Sequence, residues 1–289
     1  MTTISFRRCL IPTLLASLAG AALAQQDRDW DAVELRIEHV AGSIHMLIGQ
    51  GGNIGLSVGE DGVIMIDDQF APLSARIAQT IRAFTDEEIR FLINTHVHGD
   101  HVGGNENFAN MGVLIFANDN VRMRMVGSSP HAALPVVTFS DTTTLHLNDE
   151  EVHAFKVPPA HTDGDSFIHF RGSDVLHLGD VFRTNNFPYI DVSSGGTLQG
   201  TLDALAMAIG MAGPDTAVIP GHGVVSKRGD IVEFRDMILV VVDRVADLVA
   251  DGASFQEVLN AGTTSEYEAK WGDPERFLAG VYQELGGRL

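Results

Sequence analysis

Cysteine is almost absent from this sequence: the 289 residues contain only Cys9. Basic residues are scarce as well, 19 Lys and Arg against 38 Asp and Glu, for a formal net charge of −19. Both shortages sharpen when the N-terminus is considered. Arg7 and Arg8 are followed by the apolar run "CLIPTLLASLAGAALA", too short to span a bilayer, and Ala22-Leu23-Ala24 has the small residues of a cleavage site. We expect residues 1–24 to be an export signal, leaving a chain that starts near Gln25 in the periplasm or secreted. The competing reading, a membrane anchor, is disfavoured by the length of the run and by the cleavage site. The Arg pair resembles the twin-arginine signal, but "SFRRC" matches it poorly.

Cleavage would remove Cys9, and without a thiol the chain can form no disulfide and use no thiolate as nucleophile or ligand. Any metal would be held by histidine and carboxylate. Cleavage would also take Arg7 and Arg8 and no acid, so the balance becomes more acidic still. Nucleic acids and anionic membrane surfaces are recognised by basic patches, so neither is an expected partner, and no stable membrane association is expected once the signal is cut. The acidity is read as solubility.

Apolar residues are plentiful, at 45%. Short apolar runs at 33–40, 43–48, 53–58 and 62–67 are separated by the turns "GQGG" and "GEDG", which predicts strands. A helix follows, with Pro72 near its start and Leu73, Ile77, Ile81 and Phe84 on one face. Further strands are predicted at 90–95, 113–117, 143–147, 151–157, 166–170, 174–178 and 216–219, and helices at 104–111, 118–126 and 199–212. The longest helix, 231–250, carries Arg235, Asp236, Asp243 and Arg244, which excludes a membrane span. Helical pieces at 256–259 and 274–285 form a tail. With no linker or low-complexity stretch, residues 25–289 are expected to form one domain. Its elements recur in two halves divided near residue 130, which suggests two packed sheets with helices outside.

The chemistry concentrates in "FLINTHVHGDHVGGN", residues 91–105. His96 and His98 are two apart on an extended segment and so point the same way, able to grip one cation; Asp100 and His101 lie beyond the bend and can face a second. Three further polar residues end apolar strands beside Gly or Pro: His161 in "VPPAHTDGD", Asp180 in "DVLHLGD" and His222 in "TAVIPGHG". The other histidines, at 39, 45, 146, 153, 169 and 177 in strand-like runs and at 131 beside Pro130, are read as background.

Together, "HVHGDH", "PAHTDGD", "LGD" and "PGHG" resemble, in order, the motifs of the metallo-β-lactamase superfamily. The resemblance runs from Val33 to His222. It implies an α+β fold, a four-layer αββα sandwich with a metal site at one edge of the two sheets. It also implies that His96, His98 and His161 hold one metal, that Asp100, His101 and His222 hold a second, and that Asp180 bridges or completes the second site. Asp67, closing "VIMID", matches the family's buried aspartate, where its plainer reading is a turn cap. Such ligands suit two Zn²⁺ ions, with Mn or Fe also compatible. A water shared by two such ions ionises near neutral pH and attacks a carbonyl, with Asp100 orienting it.

The superfamily hydrolyses β-lactams, lactones, thioesters and phosphodiesters with one metal core, so the core does not choose the small-molecule substrate. Export favours targets met outside the cytosol, and the tail lacks clustered basic residues for an anionic thioester. Arg183, three residues past Asp180, stands where one β-lactamase subclass places a cation for the substrate carboxylate. The sequence departs from that subclass at Asp180, where a Cys stands there, and in adding His101. The expected activity is therefore hydrolysis of a β-lactam amide, a trait of antibiotic resistance. The alternatives are a lactone or thioester hydrolase and a non-catalytic periplasmic metal-binding accessory protein.

Overall fold

The computed structural model describes residues 28–289; the export signal read at 1–24 lies outside them. Residues 28–33 contain a turn in which the Asp29 carboxylate accepts from the backbone N–H groups of Asp31 and Ala32. Residues 34–289 make one compact unit.

Four antiparallel strands open that unit: β1 (Arg36–Ala41), β2 (Ile44–Ile48), β3 (Ile54–Gly59) and β4 (Gly62–Ile66). Every residue of β4 is buried, which requires cover on both faces of the sheet. β5 (Ile89–Ile93), β6 (Leu114–Asn118) and β7 (Val137–Phe139) then add in parallel and complete a seven-stranded sheet. Parallel neighbours need a crossover. It is supplied by α1 (Ser74–Phe84), by the short pair α2 (Gly99–Val102) and α3 (Asn105–Asn110), and by α4 (Asp119–Met125).

The second sheet has five strands in the order β12-β11-β10-β9-β8, with β8 (Thr142–Leu147), β9 (Glu150–Lys156), β10 (Ser166–Phe170), β11 (Val175–His177) and β12 (Ala217–Ile219). Its one parallel pair, β11 with β12, is bridged by α5 (Leu198–Met211), whose first turn is capped by the Thr197 hydroxyl. Four helices follow: α6 (Arg228–Ala250), α7 (Phe255–Asn260), α8 (Glu268–Trp271) and α9 (Glu275–Glu284).

Side-chain alternation sorts the core into layers. Ile64, Ile66 and Ile93 meet Val152, Ala154, Ile168 and Phe170 between the sheets. Phe167, one position from Ile168, points the other way and packs with Leu205, Phe234 and Val241 of the outer helices. Ile77 and Ile81 of α1 are buried on the far side of the first sheet. Each such side chain contributes about 2 kcal/mol on leaving water. The result is the expected α+β arrangement, two sheets face to face with helices outside.

The strands and longer helices fall within a few residues of expectation, with instructive differences. The sheets divide at about residue 140 rather than 130, because Val137–Phe139 joins the first sheet. This strand has only three residues, two of them exposed, too few to show a period. Phe84, expected on the buried face of α1, is 45% exposed; it is the last residue of the helix, at the rim of the sheet, and touches His45 edge-on. The bend after His98 is a full helical turn, α2, in which the N–H groups of His101 and Val102 return to the His98 carbonyl. What the layers position is one edge: the loops leaving β4, β5, β9, β11 and β12 converge there, at strand ends where the backbone is free to present side chains.

Candidate metal centre

The converging loops carry all seven of the expected ligands. His96 and His98 follow β5, Asp100 and His101 ride on α2, His161 lies between β9 and β10, Asp180 follows β11 and His222 follows β12. Ligand atoms gather in three groups, each within 4.8 Å: His96 with His98 and His161, His96 with His101 and Asp180, and Asp100 with His101 and His222. The three-histidine group is set with its rings near mutual perpendicularity, at 85°, 79° and 83°.

The hydrogen bonds on the far side of each ring decide which nitrogen keeps a lone pair. The Thr95 hydroxyl donates to Asp67 Oδ2 at 2.7 Å, so toward His96 Nδ1, 3.0 Å away, it can only accept. His161 Nδ1 lies 2.5 Å from the Tyr189 carbonyl, an acceptor, and must donate. His98 Nε2 lies 2.8 Å from the Asp191 carboxylate and donates too. The lone pairs left over sit on His96 Nε2, His98 Nδ1 and His161 Nε2. Two of these, His98 Nδ1 and His161 Nε2, are 2.7 Å apart. Burial pushes His161 down to about 3, so it does not protonate to relieve the encounter. Burial, with His101 and His161 nearby, likewise holds His96 well below the usual histidine range. Neutral imidazole nitrogens facing one another in this way are a cation site, and the fixed far-side partners are those that orient metal-ligating histidines.

The second group is mixed. His101 Nδ1 donates to Asp67 Oδ2 at 2.7 Å, which leaves Nε2 facing Asp180 Oδ1 at 3.2 Å. His222 Nε2 stands 3.2 Å from Asp100 Oδ2 and 3.3 Å from Asp180 Oδ1. The other Asp180 oxygen, Oδ2, is 3.6 Å from His161 Nε2. Asp180 therefore turns one oxygen to each group. Burial opposes charge at His101, but Asp180, Asp100 and Asp67 raise it well above the usual histidine range; burial opposes charge at His222 too, and Asp180 and Asp100 raise it. Burial also works against the Asp180 carboxylate, but Arg183, His222 and His101 hold it well below the usual range. Among the described residues, the buried polar atoms without a hydrogen-bond partner include His96 Nε2, His101 Nε2, His222 Nε2 and Asp180 Oδ1. Buried polar atoms are rarely left so, and here four orphans point into one space. The donor set, nitrogen with carboxylate oxygen and no sulfur, fits Zn²⁺.

The cradle is held from below by Asp67, which accepts from the Thr95 N–H and hydroxyl and from His101 Nδ1, each at 2.7 Å. To turn its carboxylate under the loop it adopts φ +64°, a left-handed conformation that Asp tolerates better than most residues. Asp68 N–H and the Asn94 amide both donate to the His101 carbonyl, at 3.0 and 3.3 Å. Two glycines are required by close approach. A Cβ on Gly52 would strike the His101 imidazole, and one on Gly221 would strike the Asp180 carboxylate.

Arg183, singled out for a substrate role, lies beside the cluster: its Nη2 is 2.6 Å from Asp180 Oδ2, its Nε is buried without a partner, and its side chain is 14% exposed. Of the background histidines, six occupy strands as expected. His177 comes near the site but is a satisfied core residue, bonded to the Asn53 carbonyl and to the Gly179 N–H. Sequence reasoning missed Thr95, Tyr189 and Asp191, which orient His96, His161 and His98. Thr95 is adjacent to the motif and could have been suspected; "PYIDVSSGG" reads as an ordinary turn.

Comparison with known proteins agrees with this geometry. Residues 47–222, more than half of the chain, match the family model described as the metallo-beta-lactamase superfamily. A hydroxyacylglutathione hydrolase from Gloeobacter violaceus is 34% identical over 92 residues, 31% of this chain and 33% of that protein. The match thus spans about a third of that relative's length. Among solved structures, a metallo-beta-lactamase from Pontibacter korlensis aligns with a TM-score of 0.62 at 15% identity, over 71% of this chain and 99% of its own. A stereoselective inverting sec-alkylsulfatase from a Pseudomonas species aligns with a TM-score of 0.70 at 15% identity, over 88% of this chain and 51%, about half, of its own. At such identities the structures speak to fold alone.

Proposed function

We propose that this chain, a metal-dependent hydrolase that belongs to the metallo-beta-lactamase superfamily, uses two zinc ions to open a carbonyl substrate, with the amide of a β-lactam as the first substrate class. The observation that carries the dinuclear reading is the convergence of lone pairs from two differently built groups, with Asp180 turning one oxygen to each. Zinc held there supplies Lewis acidity, which polarises a carbonyl and brings the ionisation of a water toward neutral pH. The chain's own residues do the rest. Asp100, its carboxylate 26% exposed and its Oδ2 3.2 Å from His222 Nε2, accepts a hydrogen bond from the attacking water and aims it. Asp180 offsets positive charge on both sides. The walls of the cradle, His96, His101 and His161, are buried and keep bulk water from the ligand atoms.

Arg183 is the residue on which the substrate class turns. It is the cation against Asp180, and a carboxylate beside a lactam ring is the natural partner for the remainder of its guanidinium. A second reading, a neutral lactone or a thioester, is supported by the same contact, since Asp180 already engages Nη2. The name of the hydroxyacylglutathione hydrolase relative points the same way. Metal-loaded protein should be assayed against lactams, lactones and thioesters together with Arg183→Ala. On the lactam reading the variant loses roughly ten- to a hundredfold in kcat/KM on carboxylate-bearing lactams, the equivalent of about 1.5–3 kcal/mol, and little on a neutral lactone. Equal losses on both would assign Arg183 to Asp180 rather than to the substrate. Turnover of lactones or thioesters without lactams would hand the site to the second reading. The same proposal places the enzyme outside the cytoplasm, on the strength of Arg7, Arg8 and the apolar run to Ala24. The exported form should begin at Gln25, and an intact Met1 in a membrane fraction would argue for an anchor.

A further inference from the structure

Asp191 belongs to none of the sequence motifs, yet it touches the three-histidine group twice. Its Oδ2 is 2.8 Å from His98 Nε2, and its backbone N–H donates to the His161 carbonyl at 3.0 Å. The carboxylate is itself tethered: Oδ1 accepts from the Ser193 hydroxyl at 2.5 Å and from the Ser194 N–H at 3.1 Å. Two residues earlier, Tyr189 takes the Nδ1 proton of His161 on its carbonyl and lays its ring against His98, with centroids 5.8 Å apart and planes 23° from parallel. One short segment therefore engages the outer nitrogens of both His98 and His161.

That segment is pinned from behind by the C-terminal helices, beyond the last expected ligand. The Arg276 guanidinium, from α9, sits 4.5 Å from the Tyr189 ring centroid. Phe187 stacks on Phe277 at 5.7 Å and 11°, and its N–H donates to the Trp271 carbonyl. Ile190 lies against Gly280, where an added Cβ would be in ordinary contact at 3.4 Å. The chain from 187 to 191 is thus a strut from α8 and α9 to the ligands.

We infer that Asp191 is a positioning residue: its charge-assisted hydrogen bond holds His98 as the Nε2–H tautomer and turns Nδ1 toward His161, so that metal affinity of the three-histidine group depends on this strut. A neutral imidazole carries one proton, and if it moved to Nδ1 the nitrogen facing His161 would have no lone pair to give. An ionised partner roughly doubles the strength of such a bond. Removal of a group of this kind costs about 10–100-fold in metal affinity. The inference rests on the metal reading proposed above.

The test compares the protein with Asp191→Ala and Asp191→Asn, all in a His222→Ala background that cripples the mixed group. Zinc affinity is measured by competition with a chromophoric chelator, and the His98 tautomer by ¹⁵N-edited NMR of the zinc-loaded protein. Asp191→Ala should weaken zinc roughly 10–100-fold, while Asp191→Asn, which keeps an acceptor oxygen, should recover part of the loss. The NMR should place the His98 proton on Nε2. In the His222-intact protein, affinity of the mixed group should stay within about twofold for either variant. Unchanged zinc affinity in Asp191→Ala would overturn the inference. So would an equal loss from both groups with a lower unfolding temperature in chelator and no advantage for Asn, since Asp191 would then support the fold alone. If the unmutated protein binds no zinc, the metal reading falls and this inference with it; if it binds zinc and Asp191→Ala matches it, only the inference falls.

Discussion

The two halves of the cradle solve the same problem with opposite electrostatics. The three-histidine group presents imidazole nitrogen alone, and burial keeps His96 and His161 neutral. The mixed group sets His101 and His222 among Asp67, Asp100 and Asp180, which favour their protonated forms. His96 and His161 thus have no proton to shed before taking a cation. The mixed group can satisfy itself with protons, which a metal must displace. The bracing differs in origin too. Asp67, early in the chain, fixes His101; Asp191, far along it, fixes His98. On the dinuclear reading proposed above, one ion would be held by preorganised donors and the other in competition with protons.

The largest effect expected is from His96→Ala, which removes a ligand atom lying near both groups. It should lower kcat/KM by on the order of a thousandfold or more, about 4 kcal/mol of transition-state stabilisation, and cut bound metal by at least one ion. Retained activity with one ion would show that the three-histidine group is dispensable, and the comparison would collapse.

Asp67→Ala should come next. It strands the Thr95 N–H and hydroxyl and His101 Nδ1 in a buried site. Leaving such donors unpaired costs roughly 3–5 kcal/mol, and urea unfolding would show it. Ala also tolerates the left-handed backbone at this position less well than Asp, which adds to the loss. The mixed group should lose metal affinity first. A loss confined to the three-histidine group would reverse the assignment of braces.

The smallest effect is expected from His153→Ala. His153 pairs across strands with His169 and bonds the Thr144 hydroxyl, on β9 and away from the cradle. Its removal should change stability by no more than about 0.5 kcal/mol and leave metal content and kcat/KM alone. A catalytic loss there would mean that the cradle extends beyond the edge where the loops converge.

The candidate ligands were legible because each is a chemically rare residue near a strand end, and local spacing records that placement. His96, His98, Asp100 and His101 announce themselves within six positions, and His161, Asp180 and His222 each follow an apolar strand with a glycine or proline no more than two positions away. The strands were legible for a similar reason, since burial on two faces leaves runs such as "GVIMI". What orients the ligands left no such trace. Asp191 is one aspartate in a turn, and its meaning comes from a contact 93 positions away in sequence. β7 exists because its edge completes a sheet, not because three residues prefer it. Arg183 was found by its offset from Asp180, but only the fold shows that the two side chains touch.

The most direct measurement is zinc binding to metal-stripped protein, followed to saturation at about pH 7.5 and again at about pH 6. Two ions per chain are expected at the higher pH. Because His101 and His222 titrate above the usual histidine value, lowering the pH restores protons to the mixed group, and the second ion should weaken sharply. The three-histidine group, with His161 neutral down to about 3, should keep its ion at both. A single ion at the higher pH, or two ions that weaken together as the pH falls, would contradict a centre built from two electrostatically opposite halves.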